Sequence, residues 1–225
     1  MTQFSQHAAF DLADLKRRFL SAQLAGRRDE GLRIIVEEGL GAGAAVPDLH
    51  LQVIQQAQYE IGRLWQENRC TIAQEHVATA ISQLALARLY QHLPRARRNG
   101  RRILLACVEG ELHELGARVA SDFLEMGGFD VQFVGANTPV DSLVALARLE
   151  RPDLVALSVS LSFHMPALRR TVERIRAALG ADVPIAVGGH AVDWDPDAVR
   201  DLGVSLFGGD AAEMLANVKR RLGVA

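Results

Sequence analysis

Glu111-Leu112-His113-Glu114-Leu115-Gly116 sets one imidazole two residues after a carboxylate and three residues before a glycine. A histidine that ligates a metal usually gives its other ring N–H to a carboxylate, so this spacing makes His113 a candidate metal ligand and Glu111 the group that orients it. Gly116 leaves room for a bulky group to approach the start of the following helix. The competing reading is a solvated loop histidine. A second constellation lies upstream, where Trp65 is followed, after nine residues, by Glu75-His76. An aromatic plate with an acid and an imidazole nearby suits a cap over a flat ligand. Against that stands a core tryptophan and a carboxylate placed where a helix dipole favours negative charge. Ser158, Ser160 and Ser162, with the pairs Gly188-Gly189 and Gly208-Gly209, complete the residues that invite a chemical reading.

The elements that must hold these residues change character near residue 94. Residues 9–94 carry a helical pattern throughout. Asp11 reads as the N-cap of a helix with Leu12, Leu15, Phe19 and Ala22 on one face, stopping at Gly26; Asp29 starts a second with Leu32, Ile35 and Val36. A third follows Pro47 with Leu49, Val53, Ala57, Ile61 and Leu64 in line. A fourth opens on Thr71-Ile-Ala-Gln74, the form of a capping box, with Val77, Ile81, Leu84 and Leu89 on its apolar side. Four helices joined by short turns predict a bundle. Trp65 ends the third and Glu75 and His76 begin the fourth, so both fall at one end of it. Residues 95–101, with Arg95, Arg97, Arg98 and Arg101 around Asn99-Gly100, read as a basic linker, usually solvated but able to dock a partner or a phosphate.

From residue 102 to 225 short apolar runs alternate with helical patterns. The expected strands are 103–108, 131–135, 154–160, 183–187 and 204–207, with helix boundaries at Gly127-Gly128, Pro139, Pro166, Gly180 and Pro196 and a last helix after Asp210. This predicts an α/β fold, a five-stranded doubly wound parallel sheet of flavodoxin-like order, behind the helical bundle. In such a sheet the loops after strands one and three flank the topological switch point, where ligands bind. The first loop holds Glu111 and His113, the second the serines. There is no G-x-G-x-x-G after strand one and no P-loop, and strand three does not end in the aspartate of a phosphorylation receiver. Tight turns explain single glycines, whereas two pairs on one rim fit a large ligand lying against the backbone.

Composition bounds the rest. At 225 residues, 49% hydrophobic, net charge −2 and pI about 6.4, nothing global draws the chain to nucleic acid or an anionic membrane. Its start lacks the pattern of a signal peptide, and no apolar run approaches the roughly 18 residues of a membrane span, so a cytoplasmic protein is expected. Cys70 and Cys107 lie far apart and suit reduced thiols better than a disulfide framework or a zinc site.

Taken together, Glu111-x-His113-x-x-Gly116, Ser158-x-Ser160 and Gly188-Gly189 resemble the cobalamin-binding domain of methionine synthase, methylmutases and related proteins, whose pattern is D-x-H-x-x-G, S-x-L and G-G. The resemblance implies that His113 replaces the benzimidazole as lower ligand to cobalt. It also implies that the displaced nucleotide tail lies beside Ser158 and Ser160 and against Gly188, Gly189, Gly208 and Gly209. Glu111 stands for the usual aspartate and Ser160 for the usual leucine; neither change removes an essential atom. The bundle looks like the cap of the same family. Trp65-x9-Glu75-His76 is similar to the W-x9-E-H pattern of light-sensing, adenosylcobalamin-dependent regulators of the MerR class, in which the tryptophan covers the upper ligand and the acid and histidine line the adenosyl pocket. Residues 1–10 are too few for the winged helix-turn-helix of such regulators. The resemblance therefore implies a stand-alone cobalamin sensor, without catalytic residues or its own DNA-binding domain. It would bind adenosylcobalamin in preference and act through a transcription regulator or signalling partner, with homo-oligomerisation open. The alternative is a corrinoid methyl carrier serving separate methyltransferases.

Overall fold

In the computed structural model, which describes residues 11–224, the chain divides after Pro94 into two units. The start of the chain, including the expected boundary at residue 9 and the reading that no leader is present, lies outside the described residues. In the first unit, α1 (Leu12–Leu24) begins where the Asp11 side chain accepts the Ala13 N–H at 2.9 Å, and it buries Leu15, Phe19 and Ala22. Next, α2 (Arg28–Arg33) starts one residue before Asp29 without a side-chain cap and runs on through π-helical Ile34–Gly39 into a 3-10 turn, Leu40–Ala42. A third rod is continuous from α3 (Val46–Asp48) through π-helical Leu49–Ile54 into α4 (Gln55–Gln66), because the backbone stays right-handed helical at both joints. It buries Leu49, Val53, Ala57, Ile61 and Leu64, as the spacing predicts.

The fourth rod, α5 (Ile72–Leu89), opens on a complete capping box: the Gln74 N–H reaches Thr71 Oγ1 at 3.2 Å and the Thr71 N–H reaches Gln74 Oε1 at 2.9 Å. Its buried face differs from the expected one. Val77 is 46% exposed and Leu84 41%, whereas Ala78, Ile81, Ser82, Ala85, Leu86 and Leu89 are buried. Apolar residues are spread almost all round this helix, so periodicity selects no face. Packing against α1 and α4 decides instead, and it turns small residues inward.

The second unit is β1 (Arg102–Cys107), α6 (Leu115–Met126), β2 (Asp130–Gly135), α7 (Val140–Glu150), β3 (Leu154–Ser158), α8 (Met165–Leu179), β4 (Ile185–Gly188), α9 (His190–Trp194), β5 (Ser205–Leu206) and α10 (Ala211–Leu222). The strands are parallel in the order β2-β1-β3-β4-β5, which is the flavodoxin-like order. Ile103, Leu104, Leu105, Val155, Ala156, Leu157, Ala186 and Val187 form the buried centre of the sheet. Several boundaries move. Strand β3 stops at Ser158, so Ser160 lies in a loop. Strand β4 starts at Ile185, after Pro184, which accepts a bond from Val155 N–H but has no N–H of its own to donate. A short α9 follows Gly189 directly, and Pro196 opens a 3-10 helix, Pro196–Leu202.

Residues 95–101 are not a free linker. Ala96 N–H donates to the Met126 carbonyl at 2.9 Å and Asn99 N–H to that of Gly128 at 3.0 Å, while Arg98 pairs with Asp130 and Arg101 with Asp153, each at 2.9 Å. Gly128 adopts φ +86, and a Cβ there would lie 2.4 Å from the Arg97 carbonyl oxygen, so only glycine lets this strap lie flat on the second unit. No helix among the described residues is long and apolar enough to cross a membrane.

Candidate functional site

Strand β1 ends in Cys107, and after Val108 the chain turns on Gly110, with Glu111 N–H returning to the Val108 carbonyl at 3.0 Å. That turn drops the Glu111 side chain inward, where none of the residue is exposed. One carboxylate oxygen, Oε1, meets His113 Nδ1 at 2.5 Å and accepts the His113 N–H at 3.0 Å; the other, Oε2, accepts the N–H groups of Ser160 at 2.8 Å and Leu161 at 3.0 Å. Burial alone would raise this carboxyl. The His113 ring bond and the three backbone N–H bonds outweigh burial and hold it at about 2, so the group is a carboxylate at any physiological pH. A carboxylate accepts only, so His113 Nδ1 carries its proton towards Glu111, and in the neutral ring Nε2 carries the lone pair. The His113 side chain is 58% exposed, in contrast to its buried partner.

The same carboxylate ties the loop after β1 to the loop after β3, and other side chains bring in the loop after β2. Glu114 Oε2 accepts the Ala136 N–H at 3.0 Å. Asn137, in the left-handed region at φ +47, accepts the Gly110 N–H on Oδ1 and donates its own N–H to the Glu111 carbonyl, both at 2.8 Å. The buried ring of His164, from the loop after β3, packs on Gly110 so closely that a Cβ there would lie 3.0 Å from it. Glu114, Asn137 and His164 were not singled out from the sequence. Their partners lie 22 to 27 positions away for the first two, beyond the reach of any local spacing; only the turn-forming Asn137-Thr138-Pro139 was a visible signal.

Ser158 pairs with Cys107 across the sheet and bonds to its thiol, while Ser160 serves the site through its backbone N–H. The glycine pairs differ in what the chain itself asks of them. Gly189 has φ +108 and a Cβ there would sit 2.4 Å from the Val159 carbonyl oxygen; at Gly188 it would press on Phe207 at 3.2 Å. Chain packing therefore constrains both. Gly209 has φ +85, a turn requirement, whereas Gly116 and Gly208 would place a Cβ into open space. A cavity of about 430 Å3 borders Gly208 and Gly209 and is lined by Val192, Asp193, Pro196 and Leu206.

In the first unit, Asn68, at φ +57, turns the chain between α4 and α5. Trp65, on the last turn of α4, is 47% exposed and is not core. Glu75 Oε2 meets His76 Nδ1 at 2.6 Å, and Glu75 Oε1 accepts the Thr79 hydroxyl at 2.7 Å. The structure thus joins Glu75 to His76 and leaves Trp65 accessible on the preceding helix.

A five-stranded parallel sheet whose first loop presents a carboxylate-oriented imidazole, preceded by a helical unit, defines an α/β cofactor-binding domain with a helical companion. The model of the B12 binding domain family matches residues 101–219, and a second model, also described as a B12 binding domain, matches residues 15–90. The chain belongs to this family and is a cobalamin-binding protein. The HTH-type transcriptional repressor CarH of Myxococcus xanthus is 31% identical over 170 residues, 74% of this chain and 56% of that protein. The repressor CarA of the same organism is 34% identical over 60% of this chain and 46% of its own. The chain therefore spans about half the length of these repressors. Dimethylamine corrinoid protein 1 of Methanosarcina acetivorans is 23% identical over 84% of this chain and 82% of its own. Among solved structures, the monomethylamine corrinoid protein of Methanosarcina barkeri has the same fold, with a TM-score of 0.84 at 16% identity over 94% of this chain and all of that one.

Proposed function

We propose that the chain is a cytoplasmic, adenosylcobalamin-dependent sensor of light that acts through a protein partner, with His113 as lower ligand to the cobalt. The residues suit the group. The corrin ring supplies its own in-plane nitrogens, so the protein need offer one oriented imidazole, and among the described residues no three His, Cys, Asp or Glu side chains gather as a metal cage of their own. Open space beside Gly116 and Gly208 suits a large macrocycle and its nucleotide tail, with Ser158, Ser160, Gly188, Gly189 and Gly209 along the same sheet edge. When bound, cobalamin would supply a light-labile cobalt–carbon bond; the protein's part is to orient His113 and to receive the upper group.

The observation that carries the sensor reading is the Glu75–His76 pair. Its carboxylate accepts hydrogen bonds, and in the neutral ring His76 Nε2, like that of His113, carries the lone pair. An adenosyl group brings an amine and ribose hydroxyls to such acceptors, with Trp65 as a stacking surface; a methyl group brings none. The second reading, a corrinoid methyl carrier, is favoured by the dimethylamine corrinoid protein, matched over 82% of its length against about half for the repressors. An absorption spectrum of protein reconstituted with adenosylcobalamin in the dark, repeated after green light and beside a methylcobalamin sample, separates them. The sensor retains adenosylcobalamin more tightly and changes spectrum on illumination. Equal retention of both forms means a carrier.

A further inference from the structure

Glu75 is the end of a polar chain, buried at Gln23 and Ser82 and partly buried beyond them, that crosses the helical unit. Gln23 on α1 donates from its amide to the Ala78 carbonyl at 3.0 Å and to Ser82 Oγ at 2.8 Å. Ser82 Oγ donates to Gln58 Oε1 on α4 at 3.0 Å, the Gln58 amide donates to Thr79 Oγ1, and Thr79 Oγ1 donates to Glu75 Oε1 at 2.7 Å. Glu75, Thr79 and Ser82 share one face of α5, at spacings of four and three, which is the face that replaced the expected Val77 and Leu84 stripe.

The direction of the chain is fixed at both ends. The Ala78 carbonyl can only accept, so the Gln23 amide must present its NH2; the Glu75 carboxylate can only accept, so the Thr79 hydroxyl must donate to it. Every donor between them therefore points towards Glu75, and bonds aligned in this way polarise one another. Among the described residues Gln23 Oε1 is buried without a partner, in a residue 1% exposed. A buried amide oxygen left unpaired is destabilising, which the hydrogen bonds of the chain must offset.

We infer that Gln58 and Thr79 are positioning residues for Glu75, setting its carboxylate and, through it, the Nε2-lone-pair tautomer of His76, so that the pair selects an upper group rich in hydrogen-bond donors. This rests on the reading of Trp65, Glu75 and His76 given above. Neither residue touches the cofactor; both act through the carboxylate.

The tautomer is measured first, on the protein without cofactor, by nitrogen-15 NMR of the His76 ring. Wild type shows the Nδ1–H form, Thr79→Val and Gln58→Leu raise the Nε2–H form, and Thr79→Ser restores wild type. The affinity ratio of adenosylcobalamin to methylcobalamin is measured next. Thr79→Val and Gln58→Leu lower it by about tenfold, the scale of one hydrogen bond to a charged group, and Thr79→Ser recovers it. Methylcobalamin affinity stays at the wild-type value throughout, which also reports that the variants fold. A ratio and tautomer unmoved in Thr79→Val and Gln58→Leu, while Glu75→Gln collapses the ratio, overturns this inference and leaves the sensor reading standing. A wild type without preference, unaffected by Glu75→Gln, overturns the sensor reading; the tautomer shift in the cofactor-free variants then decides the positioning role by itself.

Discussion

Glu111–His113 and Glu75–His76 are the same bond in opposite surroundings: a carboxylate oxygen meets an imidazole Nδ1 at 2.5 Å in one and 2.6 Å in the other. Glu111 is wholly buried and is held largely by backbone N–H groups of two loops, whereas Glu75 is partly exposed and is held by the hydroxyl of Thr79. Backbone donors have no rotamers to lose, so the first pair is rigid and bound up with the fold of the sheet edge. Side-chain donors can be exchanged one at a time, so the second can be tuned without disturbing the helices. The same orienting device thus serves as a structural junction in one unit and as an adjustable contact in the other.

Four substitutions bear on that contrast. The largest effect is expected from His113→Ala, which should lower cobalamin affinity by more than about 100-fold, since even the loss of an orienting partner costs about 10–100-fold. Any retained cofactor should lack a protein imidazole in its absorption spectrum. Wild-type affinity and spectrum in this variant would remove His113 from the site. Glu111→Gln comes next, because its amide NH2 must face N–H donors on one side or the other. A loss of about 3 kcal/mol in urea unfolding of the cofactor-free protein is expected.

Acid should act on the same group. A carboxyl held at about 2 against an ordinary 4.5 contributes stability that is fully present above 4.5 and is lost as pH falls towards 2. Wild type should therefore lose on the order of 2 kcal/mol more than Glu111→Gln across that window; parallel pH profiles would mean the carboxylate is not held as described. Trp65→Ala should reduce the preference for adenosylcobalamin over methylcobalamin by about tenfold without affecting stability, because a half-exposed indole contributes stacking surface rather than core. The smallest change is expected in the unfolding free energy of Glu75→Gln, within about 1 kcal/mol of wild type, since the group is partly solvated. A loss as large as that of Glu111→Gln would abolish the distinction between a junction and a contact.

The strands, the bundle and the pairing of Glu111 with His113 were legible because each depends on residues close in sequence: apolar runs of strand length, caps, and a two-residue spacing; the sheet order followed from the alternation of strands and helices. The capping box at Thr71 and Gln74 was readable for the same reason. What escaped depends on distant contacts. That Glu111 also holds the loop after β3 involves residues 49 positions away, and the burial of Ser82 in place of Leu84 follows from which helices α5 packs against. The glycine pairs carry a further constraint of this kind: Gly189 is also required by the Val159 carbonyl of the same chain, a close approach that no local pattern reveals.

Cys107 ends the strand that leads into the His113 loop, fully buried, with burial and the negative charges of Glu111 and Glu114 pushing its thiol up to about 12 against the bond from Ser158. At neutral pH its sulfur is a protonated thiol closed off from solvent, and the thiolate is the form that attacks oxidants and binds soft metals. The sulfur nearest in sequence to the imidazole is thus kept out of electron traffic: it neither competes with nitrogen for a transition metal nor offers peroxide a site of attack, and alkylating reagents should leave it untouched until the sheet opens.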